Sequence, residues 1–357
     1  MPHSNGMEQE NQEDLPKNLC SNSNSVFRLA DDKFTIVIEG KISKIKAKQI
    51  AQRLIDSLAI PFFLNESEYQ ISISIDDKRR NVTVAEPLTK EFNKTPEFDY
   101  PETHLAAELQ QALDNKEFFL CYQPLFEFSS NNIIGVEALI RWQHPILGTI
   151  SPRIFIPIAE KTGAIIPIGE WVLKEACLQK KAWSNIGHPD LLMAINISPY
   201  QLQQKNFTAI VQNIIKETNV DPGHLEFEIS ESTLSDIQNK TKKMLALKEQ
   251  GIRLVLDDFG TGYSNPDELK NLPFDKIKID KTLIDEITSN QNKQCLLDAI
   301  VETAQDMGAQ VVAKGAETLE QVHYLLEHHS DQIQGFYYSK PLTAKACLHI
   351  FHKKHLI

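Results

Sequence analysis

IRLVLDDFGTGYSNPDELKNLPFDKIKID, residues 252–280, contains two short apolar segments, and each of them ends in aspartate. The segments 252–258 and 274–280 carry isoleucine, leucine or valine at a density that favours buried β-strands. The residues between them are mostly polar and include glycine and proline, which is typical of a connection. This stretch therefore predicts two strands with carboxylates at their C-terminal ends.

Six further segments have the same character and alternate with helical patterns from residue 104 onward. Eight strands alternating with helices are typical of a (β/α)₈, TIM-like barrel in the α/β class. The alternative is a doubly wound open sheet, which usually begins with a glycine-rich turn that this sequence lacks. The six segments are FFLCYQPLF (118–126), IIGVEALIRW (133–142), LLMAINI (191–197), HLEFEIS (224–230), AQVVAKG (309–315) and DQIQG (331–335). The helical patterns include 104–115, 170–186, 241–250, 293–307 and 318–329.

A smaller unit precedes the barrel. Its pattern predicts strands at 27–29, 34–38 and 69–75, with a helix over 41–60. About 50 residues form only a small core by themselves. The predicted domains are a disordered tail (1–25), a truncated α+β unit (26–77), a proline-containing linker (78–103) and the barrel (104–357).

The composition, 41% hydrophobic and 24% charged, is that of a soluble globular protein. No apolar run reaches the roughly 18–20 residues that span a bilayer, and the N-terminus has no signal-peptide pattern. We therefore expect a cytoplasmic protein without a membrane span. The net charge of −11 argues against a nucleic-acid partner, although metal ions allow a small anion to bind. The five cysteines lack CxxC spacing, which argues against disulfides and a zinc site.

The chemistry of a barrel lies at the C-terminal ends of its strands. Ionised carboxylates are rarely buried there unless they are paired or bound to a metal. A single Asp-Asp pair is often a helix N-cap or part of a solvated loop, but carboxylates from several strands predict a shared ligand site. The strand-end residues are Glu137, Arg141, Asn196, Glu228, Glu231, Asp257, Asp258, Lys278, Asp280, Lys314, Glu317 and Gln334.

Four of these residues predict a binding shell for a hard divalent cation: Glu137, Asn196, Glu228 and Asp257. Oxygen ligands without cysteine or histidine favour Mg²⁺, Mn²⁺ or Ca²⁺ over zinc. Asp258 adds a ligand for a second ion. Two such ions would bind the attacking and leaving oxygens of a phosphodiester.

The order of the motifs resembles the EAL family of bacterial cyclic di-GMP phosphodiesterases, over residues 104–352. The resemblance implies a barrel whose first strand is antiparallel and a Mg²⁺- or Mn²⁺-dependent hydrolysis of cyclic di-GMP to pGpG. The motifs that carry it are the run 122–163, which contains GVEALIRW, then NISP (196–199), EFEISES (226–232), LDDFGTGYS (256–264), KIKID (276–280) and QGFYYSKPL (334–342).

The resemblance also implies a role for each matching position. Lys278 corresponds to the lysine that contacts the nucleophilic water, and Glu231 to the glutamate that holds the loop after the Asp-Asp pair. Gln123 matches a ligand contact, although a glutamine before Pro124 also serves to cap backbone groups. First-metal ligands are Glu137, Asn196, Glu228 and Asp257; Asp258 is a second-metal ligand; further ligand-contacting positions are Arg141 and Gln334. Asp280 and Glu317 are ligand-binding candidates because of their places at strand ends, not because of the resemblance.

One departure from the family pattern changes the expected chemistry. The family has Ala-Glu-Gly-Val-Glu after the seventh strand, whereas this chain has Lys314 in place of the first glutamate. That glutamate serves as a second-metal ligand or general base. A lysine ammonium donates three hydrogen bonds and accepts none, so it cannot bind Mg²⁺. It can still attract a phosphate, and we therefore expect anion binding to survive better than hydrolysis.

The loop after Asp258 is the second departure. Asn265, Pro266 and Asp267 replace small and apolar residues of the family, and proline restricts the backbone. This loop couples metal binding to dimer contacts in the family. The expected homodimer through the barrel is thereby weakened.

The N-terminal unit resembles the C-terminal half of a GGDEF diguanylate cyclase domain. VFRLADDKFTIVI (26–38) carries the signature in a degraded form, with Ala30 to Phe34 at the motif and both glycines missing. The upstream half of such a domain has no counterpart in residues 1–25. A cyclase activity is therefore not expected.

Three functions compete at this point. The first is a degenerate phosphodiesterase that binds cyclic di-GMP and signals to an unknown protein partner. The second is an active phosphodiesterase despite Lys314. The third is a protein-interaction scaffold that no longer binds nucleotide, which the retained metal shell disfavours.

Overall fold

The computed structural model describes residues 24–30, 33–38, 62–64, 67–69, 102–260 and 272–351, with side chains in the last two ranges except for 102 and 234–239. The chain divides into two compact units. One contains residues 1–99 with 145–148, and the other contains 100–144 with 149–357.

The described residues of the N-terminal unit form two antiparallel strand pairs. Strand β1 (Asn24–Ala30) pairs with β2 (Lys33–Ile38), and β3 (Phe62–Leu64) pairs with β4 (Ser67–Tyr69). The predicted strands at 27–29 and 34–38 are confirmed. The helix predicted over 41–60 and most of the strand at 69–75 lie outside the described residues.

The second unit is a closed barrel of eight strands, because its first strand pairs with both its sequence neighbour and the last strand. That first strand, β5 (Phe118–Glu127), is antiparallel to both partners, whereas the other neighbouring strands of the barrel are parallel to each other. All eight predicted strands and the antiparallel first strand are confirmed. The strands are β5 (Phe118–Glu127), β6 (Asn132–His144), β7 (Gly148–Ile150, a short addition beside β6), β8 (Leu192–Asn196), β9 (Leu225–Ser230), β10 (Arg253–Phe259), β11 (Lys276–Ile279), β12 (Gln310–Lys314) and β13 (Gln332–Gln334).

Helices cover the outside of the barrel, and the five predicted helical patterns are confirmed with small shifts in their bounds. None of the helices in the described part of the chain is long and apolar enough to cross a bilayer. The helices are α1 (Glu102–Gln111), α2 (Pro152–Thr162), α3 (Ile165–Asn185), α4 (Pro199–Gln203), α5 (Phe207–Thr218), α6 (Ile237–Glu249), α7 (Lys281–Ile284), α8 (Gln291–Met307), α9 (Leu319–Glu327) and α10 (Ala344–Ile350), with 3₁₀ turns at Pro222–His224 and Glu231–Asp236.

The interior of the barrel carries two stacked ionic layers. Alternate residues of a strand face the same side, so Glu226 and Glu228 of β9 point together, as do Lys276 and Lys278 of β11. In the lower layer Lys276 Nζ lies 2.7 Å from Glu226 Oε1 and donates to Gln332 Oε1 at 2.9 Å. The upper layer, at the C-terminal ends of the strands, forms the site described next.

Candidate functional site

Lys278 lies at the centre of the upper layer and contacts two carboxylates at once. Its Nζ donates to Glu137 Oε2 at 2.9 Å and to Glu228 Oε1 at 2.6 Å. All three side chains are buried. Hydrogen bonds with charged partners are stronger than neutral ones, so this lysine fixes the spacing of β6, β9 and β11 around the site.

Two amides complete the surroundings of Glu137. Asn196 Nδ2 donates to Glu137 Oε1 at 2.8 Å, and Gln334 Nε2 donates to Glu137 Oε2 at 2.9 Å. Gln123 lies opposite Glu137 across β5 and β6, and its Nε2 donates to the carbonyl of Ser339 at 3.1 Å. The structure thus places three predicted site residues, Asn196, Lys278 and Gln334, around the Glu137 carboxylate.

Lys314 is the register partner of Gln334 on the neighbouring strand and contacts both aspartates of the Asp-Asp pair. Its Nζ is 2.9 Å from Asp257 Oδ2, 3.2 Å from Asp257 Oδ1 and 2.9 Å from Asp258 Oδ1. Asp257 is buried, whereas the side chains of Lys314 and Asp258 are 29% and 44% exposed. The Lys314 ammonium group therefore supplies the positive charge that pairs with Asp257 and Asp258.

The backbone is irregular near the end of β10, where the register with β11 shifts between Leu256 and Phe259. Asp258 has a φ of 55°, in the left-handed region, and its N–H donates to Asp257 Oδ1 at 2.8 Å. The N–H of Gly260 donates to Glu231 Oε2 at 3.3 Å. The loop-holding role that the family resemblance implies for Glu231 stays a prediction. Residues 261–271, which include the departures at Asn265, Pro266 and Asp267, lie outside the described part.

The ionisation of the site follows from this pairing. Burial alone would raise the pKa of Glu137, but the charges of Lys278 and Lys314 outweigh it and bring that pKa well below its usual range. Burial and the neighbouring Glu137 raise the pKa of Glu228. Burial would lower the pKa values of both lysines, yet the surrounding carboxylates raise them, so both remain ammonium ions. Burial and Asp257 raise the pKa of Asp258.

The donor set fits one divalent cation better than two. Glu228 Oε2 is buried and has no hydrogen-bond partner among the described residues, and it lies beside the predicted ligands Glu137 and Asn196. Asp257, by contrast, directs both oxygens at Lys314. Within residues 102–260 and 272–351, no three His, Cys, Asp or Glu side chains form a metal-binding group as they stand.

Three predicted residues lie away from this inner cluster. Asp280 caps the N-terminus of α7, where Oδ1 accepts from Thr282 N at 2.9 Å. Glu317 forms an ion pair with Lys281. Arg141 Nη1 donates to the carbonyl of Ile140 at 2.8 Å, at the rim of the barrel. None of these contacts involves the inner carboxylates.

Gly315 positions Lys314, and substituting it tests this role. Its φ is 86°, and a Cβ there would lie 2.6 Å from Lys281 Cγ. We expect Gly315→Ala to destabilise the protein by about 1–2 kcal/mol through the backbone and by about 1–3 kcal/mol more through overpacking. Chemical denaturation measures the loss. Gly187→Ala is the matched control, because Gly187 also has a positive φ of 106° but no atom within 4 Å of the added Cβ. Equal losses in the two variants would contradict the packing argument.

The EAL domain model matches residues 106–341, which is the barrel described above. The chain belongs to the EAL domain family. Among curated proteins, it is 33% identical over 346 residues to the bifunctional diguanylate cyclase/cyclic di-GMP phosphodiesterase MucR of Pseudomonas aeruginosa, covering 91% of this chain and 50% of that protein. It is 35% identical over 246 residues to the cyclic di-GMP phosphodiesterase NbdA of the same species, covering 69% and 31%. The chain spans half or less of the length of these relatives.

Solved EAL structures have the same fold. The chain superposes on a complex of the MucR phosphodiesterase with cyclic di-GMP with a TM-score of 0.66 and 38% identity, over 68% of this chain and 99% of that one. The EAL enzyme Bd1971, in a form with cAMP and cyclic di-GMP bound, gives a TM-score of 0.66 and 29% identity, over 70% and 69%. The resemblance of the N-terminal unit to a GGDEF domain stays a prediction.

The structure adds residues to the EAL site that sequence reasoning missed. Glu226 and Lys276 form the buried layer beneath it, and Lys281 pairs with Glu317 next to Gly315. The alternation in the EFE and KIK triplets carried a signal for the first pair, because charged residues two apart on a buried strand point the same way. Residues that pair across the barrel are far apart in the sequence, so no local sequence pattern predicts their contact.

Proposed function

We propose that this EAL domain binds cyclic di-GMP and hydrolyses it weakly or not at all. The observation that carries the proposal is Lys314, whose ammonium group lies within hydrogen-bond distance of Asp257 and Asp258. A glutamate would add a negative charge at this position, whereas the lysine adds a positive one. The site thereby gains attraction for a phosphate and lacks the carboxylate that the family carries at this position as a second-metal ligand or general base.

The general-base argument concerns the protonation state of Lys314. The carboxylates around it raise its pKa, so the amine carries its proton and has no lone pair for a water molecule. Losing a general base typically lowers a rate about 10²- to 10⁴-fold. Lys314 also places a positive charge where a second divalent ion would be repelled. Both effects reduce hydrolysis without removing groups that bind the nucleotide.

The remaining groups support binding. Glu137, Asn196 and Glu228 would bind one Mg²⁺ or Mn²⁺ ion, which supplies charge stabilisation for a phosphate oxygen when it is bound. Lys278 would have to release at least one of its two carboxylates for this to happen. Its ammonium group is then available to donate to a phosphate oxygen. Gln334 and Gln123 offer amides on the same side of the mouth.

An active phosphodiesterase is the second candidate, and a specific observation favours it. The inner cluster of Glu137, Lys278 and Glu228 is intact and buried, and the MucR phosphodiesterase is 38% identical over the barrel. A single metal ion with a charged lysine can still orient a water molecule. The two candidates differ in turnover and agree on binding.

One experiment separates these functions. The full chain is incubated with cyclic di-GMP in Mg²⁺ or Mn²⁺ buffer; calorimetry measures binding and chromatography measures pGpG. We expect stoichiometric binding with little or no product. Turnover at the rate of an active EAL phosphodiesterase run in parallel would establish the second candidate. Absence of binding at high micromolar ligand would reject both and leave a protein-interaction scaffold.

A further inference from the structure

The antiparallel strand β5 presents to the mouth of the barrel a face that extends from Gln123, beside the inner cluster, to Phe119. Phe118 packs against Phe155 and Trp171, and Tyr122 packs against Trp183, so these even-numbered residues face the helices. Residues of opposite parity point to the other side of a strand. Phe119, Cys121 and Gln123 therefore face the interior and the mouth.

Strand β6 continues this face. Trp142 packs with Phe118 on the helix side, which places Arg141 on the same side of β6 as Glu137. Phe119 is the direct cross-strand partner of Arg141, just as Gln123 is the partner of Glu137. Side chains that lie directly opposite have Cβ atoms about 4.5–5.5 Å apart. The phenyl ring and the guanidinium group are thus neighbours on one wall.

This wall rises from the inner cluster to the rim. Four residues separate Phe119 from Gln123, which is about 13 Å along a strand. The lower end of the wall lies beside Glu137, where a phosphate would approach, and Phe119 at the upper end is 37% exposed. The distance suits a ribose and a base that extend outward from that phosphate.

We propose that Phe119, together with Arg141, forms a stacking platform for one guanine base of cyclic di-GMP. The inference rests on the proposed function, since it needs the phosphate to lie at the inner cluster. A single exposed phenylalanine is common on protein surfaces and does not by itself indicate a binding site. Here the exposed ring lies on the face of the site, beside a planar cation, at the distance of a nucleoside. Purines stack on such aromatic and guanidinium surfaces.

The test is the dissociation constant of cyclic di-GMP for the full chain and its variants, measured by calorimetry. We expect Phe119→Ala to weaken binding about 10- to 100-fold, the effect of losing one stacked base. Phe119→Trp should keep the affinity within about threefold, because the larger ring still stacks. The emission of the F119W variant should also be quenched on saturation, a signal that a purely structural role would not produce.

Two controls make the result decisive. Leu178→Ala removes a similarly exposed apolar side chain from α3, on the outside of the barrel, and should leave binding unchanged. Phe336 is another exposed aromatic residue, close in sequence to Gln334, and Phe336→Ala tests whether it is the platform instead. Wild-type affinity in F119A, alone or with a loss in F336A, would overturn the inference. Failure of the wild-type chain to bind would reject the proposed function itself.

Discussion

Replacing Lys314 with glutamate will raise phosphodiesterase activity by about 10²- to 10⁴-fold, because the substitution restores a group that can accept a proton beside Asp257. It also reverses the charge at the Asp257–Asp258 side, so that a second divalent ion is attracted to it. Initial rates of pGpG formation at saturating cyclic di-GMP and Mg²⁺ measure the change. The substitution also removes an ammonium group that attracts a phosphate, so the affinity for cyclic di-GMP should fall or stay constant while the rate rises.

Two control variants separate the possible causes of such a gain. Lys314→Gln removes the ammonium group without supplying a carboxylate, and it should gain much less activity than Lys314→Glu. Lys174→Glu makes the same charge change in an exposed ion pair on α3 and should have no effect. If Lys314→Glu binds metal ions and still forms no product, the defect lies in the loop that contains Pro266.

Lys278→Met will destabilise the protein by about 3–5 kcal/mol, because it leaves two buried carboxylates without their cation. Glu137 and Glu228 each lie within 3 Å of Lys278 Nζ, and all three side chains are buried. Methionine has a similar length and fills the space, so the loss reflects charge rather than a cavity. Urea denaturation at neutral pH measures it.

The pH dependence identifies the cause of this loss. Without Lys278 the folded-state pKa values of Glu137 and Glu228 rise above their unfolded values, so the folded variant binds more protons than the unfolded chain. Its stability deficit should then shrink as the pH falls towards those raised values. A deficit that is constant with pH would contradict the electrostatic argument. Lys248→Met, in a partly exposed pair with Asp275, should lose about 1 kcal/mol or less.

The barrel could be predicted from the sequence because each strand carries its own signal. Segments such as 252–258 combine apolar density with acidic ends, and a closed barrel is a common way to bury eight such strands. The short strand Gly148–Ile150 and the helix Pro152–Thr162 were not predicted. The first is too short to show a period, and prolines interrupt the second at 152 and 157.

The sequence predicts which residues lie at the site, but it does not predict which of these side chains contact one another. Strand ends place Glu137, Glu228 and Asp257 at one mouth, and the structure brings them there. That Lys278 bridges Glu137 and Glu228 while Lys314 bridges the two aspartates depends on side-chain reach across the barrel, which sequence spacing does not encode. Asp280 was predicted as a ligand-binding residue, but in the structure it caps the N-terminus of α7. This contact is local in the sequence, yet it was not part of the prediction.

The reversed direction of β5 determines where the chain that precedes the barrel joins it. The parallel strands receive their preceding segment at the closed end, far from the mouth. Strand β5 instead begins at the mouth, so residues 112–117 connect α1 directly to the rim at Phe118 and Phe119. A rotation or shift of α1 would thus first displace Phe118 and Phe119, at the end of the strand face that is directed at the ligand. Helix α1 is therefore joined to the strand that begins at the ligand side of the barrel.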